Sequence, residues 1–198
     1  DYVPAVRAKS DKEEGKYGVV LGKSPEYFRR NKQVVLHVTN QIKTACTGCT
    51  KWGRGGNPPG VIDVGPLSRE RYFLLLDGAR FLLGLNDPIG APSILEAISM
   101  GCIAILPRNR RATNLMGRAH ISQYDHLQVL MNEQPSLNPY VCWYTSIEDL
   151  DRCVARAKNL PEPLPRITID AFTPEAFQNR IRDWVGNVAN VTTREMYW

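Results

Sequence analysis

RFLLGLNDPIGAPSILEAISMGCIAILP, residues 80–107, holds two short apolar runs separated by a loop and an amphipathic segment. The runs Phe81–Leu85 and Ile103–Leu106 have the length of buried strands. Between them, Asn86–Pro92 is rich in Gly and Pro and predicts a loop, with Asp87 as its one carboxylate. The stretch therefore predicts a strand, a loop, a helix and a second strand that ends at Pro107.

The helix of this stretch has recognisable start and stop signals. Ser93 and Glu96 have the spacing of a capping box if Ser93 is the N-cap. Leu95 and Ile98 fall on one helical face, and Gly101 stands where a left-handed cap would stop the helix. A strand–helix–strand unit of this length is a right-handed parallel crossover. Its ligand side is the carboxyl end of the first strand together with the helix N-terminus, whose N–H groups favour anions.

The same alternation continues on both sides of this crossover. We expect strands at 17–21, 44–47, 61–64 (or an extended link) and 140–144. We expect helices at 25–43, after Ser68 as N-cap, at 126–131, from Ser146 as N-cap to 160, and from Phe177 to Val188. No hairpin turn signal interrupts them. The pattern is typical of an α/β fold: a doubly wound, mostly parallel sheet of about five strands with helices on both faces.

Composition limits the functional classes. The chain has 198 residues, 43% of them hydrophobic, so it can bury a substantial core. No apolar run approaches the ~20 residues that a membrane-spanning helix needs. The net charge of +5 permits anionic ligands, and the only tight basic cluster is Arg108, Arg110 and Arg111, directly after a predicted strand. A nucleic-acid binder is disfavoured, because no face interleaves aromatic and basic residues.

Domain organisation follows from the same patterns. Residues 1–15 are charged and irregular and predict a linker or poorly ordered lead-in. We expect one domain over 16–189 and a tail over 190–198. The abrupt start suggests a domain cut from a longer protein.

The five cysteines are odd in number, so at least one is unpaired within the chain. Cys46 and Cys49 have CxxC spacing, but the sequence offers no second CxxC or HxxxH to complete a zinc site. A disulfide, between these two or to another part of the parent chain, is the favoured interpretation. Cys102, inside the crossover, is expected to be a buried thiol.

A family resemblance rests on the crossover. The pattern from Pro88 through Pro92, Leu95-Glu96-Ala97 and Gly101-Cys102 resembles the donor-binding half of GT-B glycosyltransferases. More narrowly, it is similar to the α-1,6-mannosylglycoprotein 6-β-N-acetylglucosaminyltransferases (the N-acetylglucosaminyltransferase V family). The resemblance covers roughly residues 16–188, with further similar segments at 17–23 (YGVVLGK), 65–68 (GPLS) and 138–140 (NPY).

The resemblance implies a fold and an activity. The chain would be one Rossmann-like half of a GT-B fold, taking UDP-GlcNAc as donor substrate, with no metal and no other cofactor. The enzyme would transfer N-acetylglucosamine to a mannose of a glycoprotein N-glycan, with inversion. The catalytic base and most of the acceptor site would belong to a preceding domain, so this chain would be an incomplete transferase.

The resemblance also implies a setting. The parent would be a type II Golgi membrane protein, placing this segment in the Golgi lumen, or in the secreted fluid if it is released. Its partners would be the UDP-sugar, the N-glycan acceptor and the preceding acceptor-side domain. No nucleic acid and no membrane contact by this segment are expected.

Two charged residues are the first candidates for the donor site. The Glu96 carboxylate is expected to hold ribose hydroxyls by charge-assisted hydrogen bonds; the alternative is a Glu that only compensates the helix dipole. Arg108, where the family has Lys, is expected to neutralise the leaving group, as protein groups must where no metal acts. Its alternative is a solvated surface Arg. Trp143 and Tyr144 are suited either to stacking a uracil ring or to packing in the core.

Main-chain groups complete the expected site. The small-residue loop is expected to meet the diphosphate with its N–H groups and consists of Gly90, Ala91, Pro92 and Ser93. Gly22 and Lys23, at the end of the first strand, are expected to face the same crevice. The alternative for residues 90–93 is an ordinary tight connection between strand and helix, and the alternative for Lys23 is an ordinary turn residue.

One departure supports a second hypothesis. Where the family has a carboxylate in the loop before the helix, this chain has Gly90, and Asp87 stands at a shifted position. The chain could therefore be a non-catalytic, GT-B-derived module that binds a nucleotide sugar or a glycan without turnover.

Overall fold

The computed structural model describes residues 17–22, 31–48, 60–85, 91–108 and 125–169, together with Gln178 and Arg182. The chain divides into two compact units, Asp1–Ile167 and Thr168–Trp198. All strands and helices given below belong to the first unit.

Strands and helices alternate along this unit. The strands are β1 (Tyr17–Gly22), β2 (Thr44–Gly48), β3 (Val61–Gly65), β4 (Ala79–Leu83), β5 (Ile103–Pro107) and β6 (Val141–Tyr144). The helices are α1 (Lys32–Thr39), α2 (Arg69–Leu76), α3 (Ala91–Ser99), α4 (Asp125–Glu133) and α5 (Ile147–Asn159), and a 3₁₀ helix spans Pro135–Tyr140.

The strands form one sheet in the order β3-β2-β1-β4-β5-β6, and every neighbouring pair is parallel. This is the strand order of Rossmann folds. The expected α/β class is confirmed, and the described sheet is wholly parallel. It has six strands rather than about five, because the segment Val61–Gly65, expected as a strand or a link, pairs with β2.

The core lies at the centre of the sheet. Every residue of β4 and β5 is buried, and Phe81, Leu82 and Leu83 pair with Ile103, Ala104 and Ile105. Strands of a parallel sheet are covered on both faces, so they appear as continuous apolar runs rather than alternating ones. These two runs made the crossover readable from sequence.

Helices cover both faces of the sheet. The step from β1 to β2 and the step from β4 to β5 run in opposite directions across the sheet. Right-handed crossovers that step in opposite directions lie on opposite faces, so α1 and α3 are separated by the sheet. Contacts join α5 to α1 and to β4, β5 and β6, so α5 shares the face of α1.

Gly101 ends α3 with a left-handed backbone, as the sequence predicts, and the turn is a Schellman motif. The Cys102 N–H donates to the Ala97 carbonyl at 3.0 Å, and the Gly101 N–H donates to the Ile98 carbonyl at 2.9 Å. Gly101 has φ +87°, which favours glycine. The Leu164 N–H also donates to the Gly101 carbonyl at 3.1 Å, so the main chain at Leu164 packs against this turn.

With Ser93 as N-cap, α3 would begin at Ile94, so its predicted start was wrong by three residues. The helix begins at Ala91, so Ser93 is a helical residue rather than the N-cap, and Glu96 lies in the second turn rather than the first. Pro92 explains the difference, because proline is well tolerated in the first turn, where its missing N–H has no helical partner to lose. The N-caps Ser68 and Ser146 are confirmed: their hydroxyls accept from the Arg71 N–H (3.4 Å) and the Asp149 N–H (3.2 Å).

The cysteines give one correction and one confirmation. Cys46 is a free thiol buried in β2, so the predicted disulfide between Cys46 and Cys49 is wrong, and a disulfide to another part of the parent chain stays a prediction. The strand β2 lies between β1 and β3, and this buried environment suits an apolar thiol. Cys102 is a free, fully buried thiol, as expected.

Several predictions fall outside the described residues. They concern Cys49, Asp87, Lys23, Gly90, the lead-in 1–15, the tail 190–198 and most of the last predicted helix. Within the described ranges, no helix is long and apolar enough to cross a membrane.

Candidate functional site

The strand order places a crevice between β1 and β4. From β1 the chain proceeds outward to β2 and β3, and from β4 it proceeds the other way to β5 and β6. Connections that leave two neighbouring strands in opposite directions open a gap at their carboxyl ends, where ligands of open α/β sheets bind. Gly22 is the last residue of β1 and lies at this edge. The short chain segment after β4 leads from the same edge to α3.

The first turn of α3 follows that segment. Ala91, Pro92 and Ser93 are its first three residues, so the predicted loop is helical at these positions. Pro92 has no N–H, and only Ala91 and Ser93 can donate main-chain hydrogen bonds. The Ser93 carbonyl accepts a 3.4 Å hydrogen bond from the Tyr72 hydroxyl on α2. The turn is therefore held from its carbonyl side while its N–H groups point to the helix start.

Glu96 pairs with Arg69. Arg69 is the first residue of α2, and its Nη2 donates a 3.0 Å hydrogen bond to Glu96 Oε1. The Arg69 guanidinium also lies 5.6 Å from the centre of the Phe73 ring. The Glu96 side chain is 23% exposed and the Arg69 side chain 74% exposed. A carboxylate held in this way is partly shielded yet still reachable from solvent.

Tyr72, on the same helix as Arg69, is near enough to Glu96 to be affected by its charge. Burial, with the nearby Glu96 charge as a smaller cause, raises the pKa of the Tyr72 hydroxyl well above its ordinary value. The hydroxyl is therefore neutral at physiological pH and acts as a hydrogen-bond donor to Ser93. Tyr72 therefore fixes the position of the first turn of α3 and adds no charge to the site.

Arg108 stands at the end of β5, above Trp143. Its N–H donates a 2.8 Å hydrogen bond to the Tyr144 carbonyl, which continues the pairing of β5 with β6. The exposed guanidinium lies 5.9 Å from the centre of the half-buried Trp143 ring, within cation–π range. Tyr144 is buried, and its hydroxyl donates a 3.0 Å hydrogen bond to the Gly84 carbonyl, so it has a core role.

The structure brings several predicted residues to one edge of the sheet. Gly22, the start of α3 and Arg108 follow the carboxyl ends of β1, β4 and β5, three adjacent strands. Neighbouring strands lie about 4.8 Å apart, so these strand ends span about 10 Å. Such a span suits a nucleotide diphosphate. Among the described residues, no group of three or more His, Cys, Asp or Glu side chains is placed to hold a metal ion.

Arg69 and Tyr72 were missed by sequence reasoning. Ser68 correctly marks the start of α2, and this places Arg69 in its first turn. No sequence signal, however, pairs the first turn of one helix with the second turn of another. Only the packing of α2 beside α3 shows that Glu96 has a cation as its partner. Comparisons of the chain with known protein-family models and with curated proteins found no match.

Proposed function

We propose that this chain binds a UDP-sugar, with UDP-GlcNAc as donor, and serves as the donor-binding domain of an inverting N-acetylglucosaminyltransferase. One observation supports the proposal most. Among the described residues, the predicted donor positions Gly22, the start of α3 and Arg108 come at or after the carboxyl ends of β1, β4 and β5, adjacent strands of a parallel sheet with Rossmann strand order. Fold alone does not define a function, so the proposal depends on the side chains at that edge.

Glu96 is the proposed partner of the ribose hydroxyls. A carboxylate accepts hydrogen bonds from two neighbouring hydroxyls, and such charge-assisted bonds are among the stronger ones in proteins. The hydrogen bond from Arg69 orients the carboxylate before a ligand arrives. This preorganisation supports binding because less side-chain entropy is lost.

The diphosphate would be bound by main-chain and side-chain donors together. The N–H groups of Ala91 and Ser93 lie at the positive end of the α3 dipole, which favours an anion. Arg108 adds a full positive charge at the end of β5. During transfer, the acceptor hydroxyl would attack the anomeric carbon, and the bond from that carbon to the β-phosphate oxygen would break. Arg108 and the helix start would stabilise the charge that develops on UDP.

Turnover would require a second domain. We assign the base that takes the acceptor proton, and most of the N-glycan acceptor site, to a preceding domain of the parent protein. The parent would act in the Golgi lumen as a type II membrane protein, or after secretion. No metal and no further cofactor enter this scheme.

Calorimetric titration of the full chain with UDP, UDP-GlcNAc and uridine tests the proposal. UDP is expected to bind with an affinity that falls as salt rises, and Glu96→Gln is expected to weaken binding about tenfold or more, since a hydrogen bond to a charged group is lost. Arg108→Gln should weaken UDP binding but leave uridine binding unchanged, because only UDP carries phosphate. Arg152→Gln is the matched control, since Arg152 is an exposed arginine on α5 that pairs with Asp149.

Two results would separate the hypotheses. Failure of the wild-type chain to bind UDP would contradict the donor-domain proposal. UDP-GlcNAc binding without transfer by the parent protein would favour the second hypothesis, a non-catalytic nucleotide-sugar or glycan-binding module, which the glycine at position 90 motivates.

A further inference from the structure

Two free cysteines lie where α5 packs against β6. Cys142 lies in the middle of β6, and Cys153 lies on α5, the helix that follows this strand. Both are free thiols, 8% and 6% exposed. The Cys153 thiol donates a 3.6 Å hydrogen bond to the carbonyl oxygen of Trp143, the residue next to Cys142.

A guanidinium completes the group. Arg156 Nη1 lies 3.2 Å from Cys142 Sγ, and its Nη2 donates a 2.6 Å hydrogen bond to the Pro139 carbonyl. The second bond fixes the guanidinium beside the sulfur. A cation held next to a thiol is the usual means by which proteins favour the thiolate.

The two sulfurs differ in protonation. The neighbouring Cys153 thiol, followed by the charge of Arg156, lowers the pKa of Cys142 to about 6 against the opposing effect of burial. The pKa of Cys153 is raised, first by its neighbour Cys142 and then by burial, with the Asp149 charge acting in the same direction. Together with the contact from Arg156, these opposite shifts make Cys142 the sulfur that ionises first.

The other described cysteines provide a contrast. Burial raises the pKa of Cys102 to about 12 and raises that of Cys46 further. No arginine is hydrogen-bonded to either sulfur in the described part of the chain. Both should remain protonated and inert, because the thiolate is the nucleophile.

We propose that Cys142 and Cys153 form a peroxide-sensitive dithiol, in which Cys142 is oxidised first, Cys153 resolves it, and Arg156 is a positioning residue. The product would be a disulfide that links the edge strand β6 to α5. The oxidant is a small hydroperoxide such as hydrogen peroxide, whose size suits the limited exposure of the pair.

The chemistry balances in two steps. The Cys142 thiolate attacks one peroxide oxygen; the S–O bond forms, the O–O bond breaks, and the leaving hydroxide takes a proton to become water. The Cys153 sulfur then attacks the Cys142 sulfenic acid; the S–S bond forms and the S–O bond breaks. The departing oxygen takes the Cys153 proton and leaves as a second water. In total, two thiols lose two electrons to one peroxide.

Timed exposure of the full chain to hydrogen peroxide, followed by alkylation and peptide mapping, tests this proposal. The wild-type chain is expected to lose two hydrogen atoms in mass and to yield a Cys142–Cys153 crosslink, while Cys46 and Cys102 stay reduced. In Cys153→Ser, Cys142 should gain one oxygen and react with dimedone, a sulfenic-acid probe. In Cys142→Ser, Cys153 should resist oxidation on the same timescale.

Arg156 is tested by the pH dependence of the oxidation rate. Arg156→Gln is expected to shift the rate profile to higher pH and to slow oxidation about tenfold at mildly acidic pH. Arg156→Lys should restore part of the rate, and Arg152→Gln, on the same helix, should leave it unchanged. Circular dichroism and thermal melts confirm that each variant is folded.

Three results would overturn the proposal. They are oxidation of Cys142 no faster than that of Cys102, a disulfide between two chains in place of the internal one, and an unchanged pH profile in folded Arg156→Gln. The first two are measured on the wild-type chain, so the outcome does not depend on how well a variant folds.

Discussion

Arg69 Nη2 donates a 3.0 Å hydrogen bond to Glu96 Oε1, and this bond joins the first turn of α2 to the second turn of α3. The Arg69 side chain is 74% exposed, so water screens most of the attraction between the two charges. The pair therefore orients the Glu96 carboxylate more than it stabilises the fold.

The first prediction is that this ion pair contributes little to stability but matters for ligand binding. A double-mutant cycle with Arg69→Gln and Glu96→Gln should show a coupling energy of about 0.2–1 kcal/mol in urea unfolding. A coupling above about 2 kcal/mol would contradict the view that the pair is solvent-screened. In UDP titrations, Arg69→Gln should weaken binding less than Glu96→Gln does, because Arg69 acts only through the carboxylate.

The second prediction concerns Gly101. Its φ is +87°, and a Cβ placed there would lie 2.0 Å from the Leu164 carbonyl oxygen. Gly101→Ala should therefore combine backbone strain with a main-chain clash and lower the free energy of unfolding by about 3 kcal/mol or more. Gly65→Ala is the matched control, with φ +64° and nothing within 4 Å of the added carbon.

Gly65→Ala should lower the free energy of unfolding by only about 1 kcal/mol, the strain of the left-handed backbone. Guanidinium chloride unfolding measures both variants. Equal losses at the two glycines would show that the Leu164 segment moves aside without cost.

Gly18 and Phe81 give the third prediction. The two residues pair across β1 and β4, and a Cβ on Gly18 would lie 2.0 Å from Phe81 Cζ. Gly18→Ala should lower the free energy of unfolding by about 1–3 kcal/mol, the usual cost of overpacking a core. In a Phe81→Leu background the same change should cost much less, because the ring edge is gone. Equal costs in both backgrounds would contradict the clash.

Much of the fold could be predicted from local signals. Gly101 and the caps Ser68 and Ser146 were identified correctly, because each acts through hydrogen bonds within a few residues. The start of α3 was misplaced because the Ser93–Glu96 spacing imitates a capping box. Pro92 was the better signal, since proline favours the first turn of a helix.

The site could be predicted only in part. Strand ends in a parallel sheet share one edge, so Gly22 and Arg108 could be placed there from the order of elements alone. Partners across elements could not be predicted. The Arg69–Glu96 bond, and the contact of Arg156 with Cys142, depend on how helices pack, and no spacing in the sequence encodes that.

A pH-dependent prediction concerns Asp151. Its carboxylate, on α5, accepts a 2.5 Å hydrogen bond from His37 Nε2, on α1, and a 2.7 Å hydrogen bond from Gln41 Nε2, two residues after α1. These bonds, that of His37 first, lower the pKa of Asp151. A lowered folded-state pKa means that the stability is present above the unfolded-state pKa of about 3.9 and is lost as pH falls through the folded-state value.

Urea unfolding between neutral and acidic pH measures this effect. The free energy of unfolding of the wild-type chain should fall more steeply below about pH 4 than that of Asp151→Asn. Arg152→Gln, whose arginine pairs with Asp149 rather than Asp151, serves as a control for general charge effects. Parallel curves for the wild-type chain and Asp151→Asn would contradict the prediction.

The last prediction concerns Arg80, the second residue of β4. Arg80 is 6% exposed, and its Nη2 donates a 3.0 Å hydrogen bond to the Pro161 carbonyl. Among the described residues, its Nε and Nη1 are buried without a hydrogen-bond partner. A buried charge whose hydrogen-bonding groups are only partly paired costs free energy. Arg80→Met should therefore raise the free energy of unfolding by about 1–3 kcal/mol, because the methionine side chain keeps the packing.

Arg71→Met, on the exposed surface of α2, is the control and should change the free energy of unfolding by less than about 0.5 kcal/mol. A loss of stability in Arg80→Met, measured by urea unfolding, would mean that the Pro161 bond outweighs the desolvation of the guanidinium.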